Sequence, residues 1–144
     1  MQTNNDEPKH FICTLATQAA RKMTGYYNRV LSPLGLTAQQ IIALGVIWRE
    51  ENISLGTFAQ RYGVGKAAAV SMIKRLDRMG FVKTVPDPED ARLNMISLTE
   101  KSRRMAPELL KKAAKLEKEI EKAVGHENME ALIKGLTVIK DLDL

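Results

Sequence analysis

The sequence predicts a mainly α protein with a small β element, an α+β fold, on three observations. Toward both ends of the chain, apolar residues recur at three- and four-residue steps, the period of one helix face. In the middle, two short helical patterns meet across Gly63-Val64-Gly65. Directly after them come two β-branched or apolar runs, parted by a turn-rich charged segment.

In chain order, residues 1 to 8 are polar and read as a disordered start ending at Pro8. From Lys9 to Leu31 the residues Phe11, Ile12, Leu15, Ala16, Ala19, Met23, Tyr26, Tyr27, Val30 and Leu31 mark a long helix with a wide apolar stripe. Ser32-Pro33-Leu34-Gly35 interrupts it. Leu36-Thr37 opens a second helix, with Thr37 and Gln40 spaced as a capping box. Ile41, Ile42, Leu44, Val46, Ile47 and Trp48 make that helix apolar on most sides, which predicts burial. A short extended stretch follows at Ile53.

The third helix is Ser54 to Tyr62, with Ser54 as N-cap and Leu55, Phe58, Ala59 and Tyr62 on one buried face. Gly63-Val64-Gly65 breaks it. The fourth runs from Lys66 to Met79, turns Ala69, Val70, Ile73 and Leu76 inward, and stops at Gly80, the residue type suited to a left-handed cap. Phe81 to Val85 and Leu93 to Leu98 then read as a hairpin around Pro86-Asp87-Pro88-Glu89-Asp90-Ala91-Arg92. A hairpin straight after a helix-turn-helix is a winged helix, so residues 54–98 form the organising lobe.

Thr99 caps a long charged helix reaching Val124, whose narrow stripe is Met105, Leu109, Ala113, Leu116, Ile120 and Val124. Pro107 falls inside it and predicts a kink or a limit to its first turns. Gly125 precedes a last helix, Glu127 to about Leu142, carrying Met129, Leu132, Ile133, Leu136 and Ile139. These terminal stripes exceed what a small winged helix covers. A second copy covers them, so residues 9–34 and 99–142 are expected to be dimerisation helices within one domain spanning 1–144.

Composition bounds the function. The 144 residues are 44% hydrophobic and 27% charged, with a net charge of +5. Residues 61–98 alone carry +3, against +1 on each flank, so the excess cation sits on the lobe. A B-form major groove admits one helix, and a hairpin tip reaches the neighbouring backbone or minor groove, so this charge points to double-stranded DNA. One cysteine excludes an intramolecular disulfide and favours a reducing compartment. The first ten residues show no leader pattern, and no run of about 18 apolar residues marks a membrane span; the expected location is cytoplasmic. No catalytic motif is present, and His10, His126 and Cys13 lack metal-ligand spacing. Neither enzyme activity nor a cofactor is expected. The rival reading, a winged-helix protein-interaction module that does not use DNA, predicts a neutral or acidic fourth helix and no arginine at the wing tip.

The order of elements resembles the MarR family of bacterial transcriptional regulators. The resemblance is carried by Leu36-Thr37, by Leu76-Asp77-Arg78-Met79-Gly80-Phe81-Val82, by Asp90-Ala91-Arg92 in the wing and by Leu98-Thr99-Glu100 after it. It implies a homodimeric winged-helix repressor or activator on a pseudo-palindromic site, often released by a small phenolic or lipophilic effector or by oxidation.

Carried onto matching positions, the resemblance makes Arg92 the wing arginine of the minor groove and Asp90 the acid that holds it. Lys66, Ala67, Ala68, Ser71, Lys74 and Arg75 are the residues expected to face DNA. Val70-Ser71 stands where many relatives carry Ser-Arg, which favours shape readout or contact with thymine methyls. Cys13 matches the reactive cysteine of the peroxide-sensing branch and Tyr27 one supporting tyrosine, while Thr17 and Ala38 replace two others. His10, Met23, Tyr26, Tyr27 and Trp48 are the candidates for an effector pocket between the first two helices and the lobe.

Overall fold

The computed structural model describes residues 7–90 and 94–144. Its elements are α1 (Ile12–Leu31), α2 (Ala38–Trp48), β1 (Ile53–Ser54), α3 (Leu55–Tyr62), α4 (Lys66–Arg78), β2 (Val82–Pro86), β3 (Asn94–Leu98), α5 (Glu100–Val124) and α6 (His126–Lys140). The protein is mostly helical with a three-stranded antiparallel sheet, ordered β1-β3-β2.

Side-chain caps set the helix starts. The Thr37 hydroxyl accepts from the Gln40 amide at 3.3 Å while the Gln40 side chain accepts from the Thr37 amide at 2.9 Å, a complete capping box. The Ser54 hydroxyl accepts from the Thr57 amide at 3.2 Å and starts α3. Thr99 caps α5 through the Ser102 amide at 3.4 Å. At the end of α4, Gly80 takes φ +77°. The Phe81 amide then donates to the Leu76 carbonyl and the Gly80 amide to that of Asp77, each at 2.9 Å, which satisfies two carbonyls the helix leaves open.

Register follows from burial. Val82 pairs with Leu98 and Ile53 with Ile96, and these four side chains all point into the core. There they meet Leu31, Leu44, Ile47, Phe58, Ala69, Ile73, Leu76 and Phe81. Phe58 is fully buried and stacks on Tyr62, ring centroids 5.3 Å apart. Thr99 donates its hydroxyl to the Gly80 carbonyl at 2.6 Å, and the Ser102 hydroxyl donates to the Phe81 carbonyl, so the root of α5 is bolted to the end of α4.

Several expectations are corrected. The first helix begins at Ile12, not Lys9: no side chain caps it, and Phe11 sits in the left-handed region at φ +47°. The outer face of α2 is open, with Ile42 and Trp48 exposed, because α1, α3 and the sheet cover only its other sides. Ile53 belongs to a true strand, β1, on the outer side of β3. Pro107 leaves α5 uninterrupted, and the last helix stops at Lys140, two residues early. Of the disordered start expected for residues 1 to 8, residues 1–6 lie outside the described residues.

Two partly buried tyrosines give the fold an alkaline limit. Burial raises the pKa of Tyr27 above the ordinary tyrosine value, with Glu117 and Tyr26 adding to it, and burial raises that of Tyr62. Below about pH 10 both groups are neutral folded and unfolded, so their contribution is complete. As pH rises further the unfolded chain ionises first, and stability is lost through the raised folded values. The urea midpoint is expected to fall above about pH 10, and less steeply in a Tyr27→Phe, Tyr62→Phe variant. An equally steep fall in the variant contradicts the assignment.

Candidate nucleic-acid interface

The helix-turn-helix places one face of α4 outside. Ala69, Ile73 and Leu76 anchor the helix in the core. Lys66, Ala67, Ala68, Ser71, Lys74 and Arg75 are all exposed on the faces these anchors leave. Ala67, Ala68, Ser71, Lys74 and Arg75 fall within an arc of about 120° opposite the anchors, with Lys66 beside it at the first turn. Gly65 caps α4 without a side chain, so the first amides of the helix point to solvent, the arrangement that receives a phosphate oxygen. Arg78 joins the same stripe, exposed one turn beyond Lys74. Arg78 is an addition to the six residues expected on this face, and its spacing of seven from Ser71 and four from Lys74 is the signal for it.

The supporting helix is tied to α2 at its C-terminal end. Arg61 of α3 is ion-paired with Glu50 at the end of α2. The Tyr62 hydroxyl donates to the Gln39 side chain at 3.0 Å. These ties hold α3 against α2, and α4 packs on α3, so the angle of α4 is set by core and not by loop. In the wing, the Asp87 carboxylate accepts from the Glu89 amide at 2.9 Å, a tight turn at the hairpin tip. Asp90 is half-buried at the edge of this turn, and Arg92 lies outside the described residues.

The five effector-pocket candidates do not share a cavity. Trp48 lines an apolar cleft with Ile41, Leu44, Leu98, Ala106 and Leu109, between α2, β3 and α5. Met23 and Tyr26 line a separate groove between α1 and α5, where the Tyr26 hydroxyl donates to the Lys112 carbonyl at 3.1 Å. Tyr27 packs against the core and meets Tyr26 edge-on at 5.6 Å. His10 is exposed ahead of α1. Met23, Tyr26 and Tyr27 share a face of α1 while His10 precedes that helix and Trp48 ends α2, and polarisability alone carries no information on convergence. Cys13 is a free, exposed thiol on α1. Tyr27 stands fourteen residues further along the same helix, about 21 Å away at its rise per residue. One chain does not bring the two together.

Comparison with known proteins agrees with this geometry. A sequence model described as MarR family matches residues 34–93, which span α2, β1, the helix-turn-helix and β2. The organic hydroperoxide resistance transcriptional regulator of Bacillus subtilis (strain 168) is 29% identical over 89 residues, covering 62% of this chain and 60% of that protein. Residues 34–93 are thus similar to the MarR family. In three dimensions it resembles BpsR of Bordetella bronchiseptica, a structure concerned with regulation of DNA binding by 6-hydroxynicotinic acid. There the TM-score is 0.82 at 21% identity, over 95% of this chain and 100% of that one. It also resembles a mutant MarR from E. coli complexed with operator DNA, TM-score 0.80 at 24% identity, over 89% of this chain and 92% of that one. At these identities the structural likeness speaks to fold. The match to the Bacillus regulator thus spans three-fifths of its length.

The exposed α4 surface is poor in long side chains at its start. Ala67 and Ala68 stand where a reading helix first meets base edges, leaving Lys66, Lys74, Arg75 and Arg78 as its cationic groups. That composition favours phosphate contact and shape readout over a dense direct code.

Proposed function

We propose that this chain is a MarR-family double-stranded DNA-binding transcriptional regulator without catalytic activity, acting in the cytoplasm as a homodimer on a pseudo-palindromic site. The observation that carries the reading is the exposed face of α4, which gathers Lys66, Ser71, Lys74, Arg75 and Arg78 on a helix anchored by core residues. Asp77 is the one acid of that helix. The E. coli MarR complex with operator DNA supports the same reading by kinship of fold.

The second copy is supported by uncovered apolar surface at both ends of the chain. Phe11 and Leu15 are 63% and 57% exposed, and in α6 Leu132, Ile133, Leu136 and Ile139 are 43% to 54% exposed. Two such chains joined through their termini carry two α4 helices, and half-sites about one helical turn apart suit that symmetry. Regulation by a small lipophilic or phenolic effector fits the apolar cleft beside Trp48, next to the joint between α2 and α5. An effector seated there acts by favouring one spacing of the two α4 helices over another. The chain then works as a repressor relieved by that ligand.

Lys66→Ala and Arg92→Ala are each expected to weaken duplex binding by about 1–3 kcal/mol, with thermal midpoints unchanged. Fluorescence anisotropy with a labelled duplex measures the loss. Full affinity in both variants contradicts the proposed docking.

A further inference from the structure

Residues 67–73 form the first two turns of α4 beyond Lys66, and only Ala67, Ala68 and Ser71 are exposed there. Ala69 and Ile73 are buried, and Val70 and Met72 are half-buried. At 3.6 residues per turn the three exposed side chains fall within an arc of about 100° and within about 6 Å of helix axis. Cations stand at either end of this patch, Lys66 before it and Lys74, Arg75 and Arg78 after it. Gly65 adds no side chain ahead of it. In a major groove, guanine is read by a bidentate Arg or Lys and adenine by a bidentate Asn or Gln. None of these residue types stands within the patch. It offers two methyl groups and one hydroxyl, and the base-edge group that matches a methyl is the C5-methyl of thymine.

We propose that Ala67 and Ala68 make this chain a reader of C5-methyl groups in the major groove, so that each half-site places thymine under the start of α4. The inference rests on the DNA-binding reading above and names what that face selects. A helix-turn-helix meets base edges through the N-terminal residues of its second helix, and the patch occupies that end of α4. Its length is close to two base-pair steps of about 3.4 Å each. Short side chains let the helix axis approach the bases, while the cations at either end reach the phosphates. Those cations supply affinity without distinguishing thymine from uracil, so the methyl contacts carry the discrimination. Each contact removes two apolar surfaces from water, and losing one methyl lowers affinity about fourfold.

The test starts from duplexes that the 144-residue chain selects from a randomised pool at low salt. Every selected half-site is expected to hold thymine at its core. In one selected duplex, deoxyuridine then replaces thymine within the half-sites, or in the flanks as a control, which leaves the protein untouched. Affinity is expected to fall about fourfold for each core methyl removed and to stay unchanged for the flanking ones. At a core position rebuilt as a C·G pair, 5-methylcytosine restores the methyl and is expected to bind about fourfold tighter than cytosine. An Ala67→Gly, Ala68→Gly chain should bind thymine and uracil cores alike. Equal affinity of the wild type for the two cores overturns the methyl reading, as do selected cores without thymine or a 5-methylcytosine that binds no better than cytosine; all three leave DNA binding itself intact. A glycine variant that keeps the wild-type preference overturns the assignment to these two alanines. If the pool yields no bound duplex at low salt, the DNA-binding reading itself fails.

Discussion

A Lys74→Glu, Arg75→Glu chain is expected to lose operator binding while folding normally. Both side chains are exposed on the outer face of α4, and neither takes part in a salt bridge among the described residues. Surface substitutions of this kind change stability by within about 0.5 kcal/mol, so the thermal midpoint should hardly move. At the DNA surface the change removes two attractions to phosphate or base and puts two carboxylates in their place. With each contact worth about 1–3 kcal/mol, affinity should fall at least about thirtyfold. A double variant that binds like the wild type would place the interface elsewhere on the molecule.

The second large effect is expected at the end of the chain farthest from α4 in sequence. Leu136 and Ile139 are each 50% exposed on α6, on the stripe assigned to the second copy. Leu136→Glu with Ile139→Glu costs a single chain little, since neither residue contributes to its core. In the dimer the same change strands two carboxylates in apolar surroundings, a penalty of several kcal/mol. Sedimentation equilibrium should show a monomer at concentrations where the wild type is a dimer. Operator affinity should fall with it, because each monomer then reaches one half-site. A variant that stays dimeric moves the contact off α6.

Much of the lobe was legible in the sequence because its boundaries are written in residues with one local job. Thr37 with Gln40, Ser54 and Thr99 each satisfy amides that a helix start leaves open, and Gly80 takes a backbone conformation that other residues resist. The α4 face was legible for the same reason: Ala69, Ile73 and Leu76 fix which side is inward, and the cations follow on the other. What was not legible depended on contacts between distant elements. The two-residue strand β1 is too short for periodicity and exists through pairing with Met95 and Ile96. The apolar richness of α2 predicted burial on most sides, yet Ile42 and Trp48 face outward, where a single chain provides no cover. The proposed pocket failed on the same point, since Met23 and Tyr26 share one groove with α5 while Trp48 belongs to another cleft.

The most direct test of the central claim is the affinity of the dimer for the duplex upstream of its own gene, set against a scrambled duplex, across a salt series. A preference of about a thousandfold or more for the upstream duplex is expected, with affinity falling steeply as salt rises. Absence of binding to either duplex at low salt would contradict it.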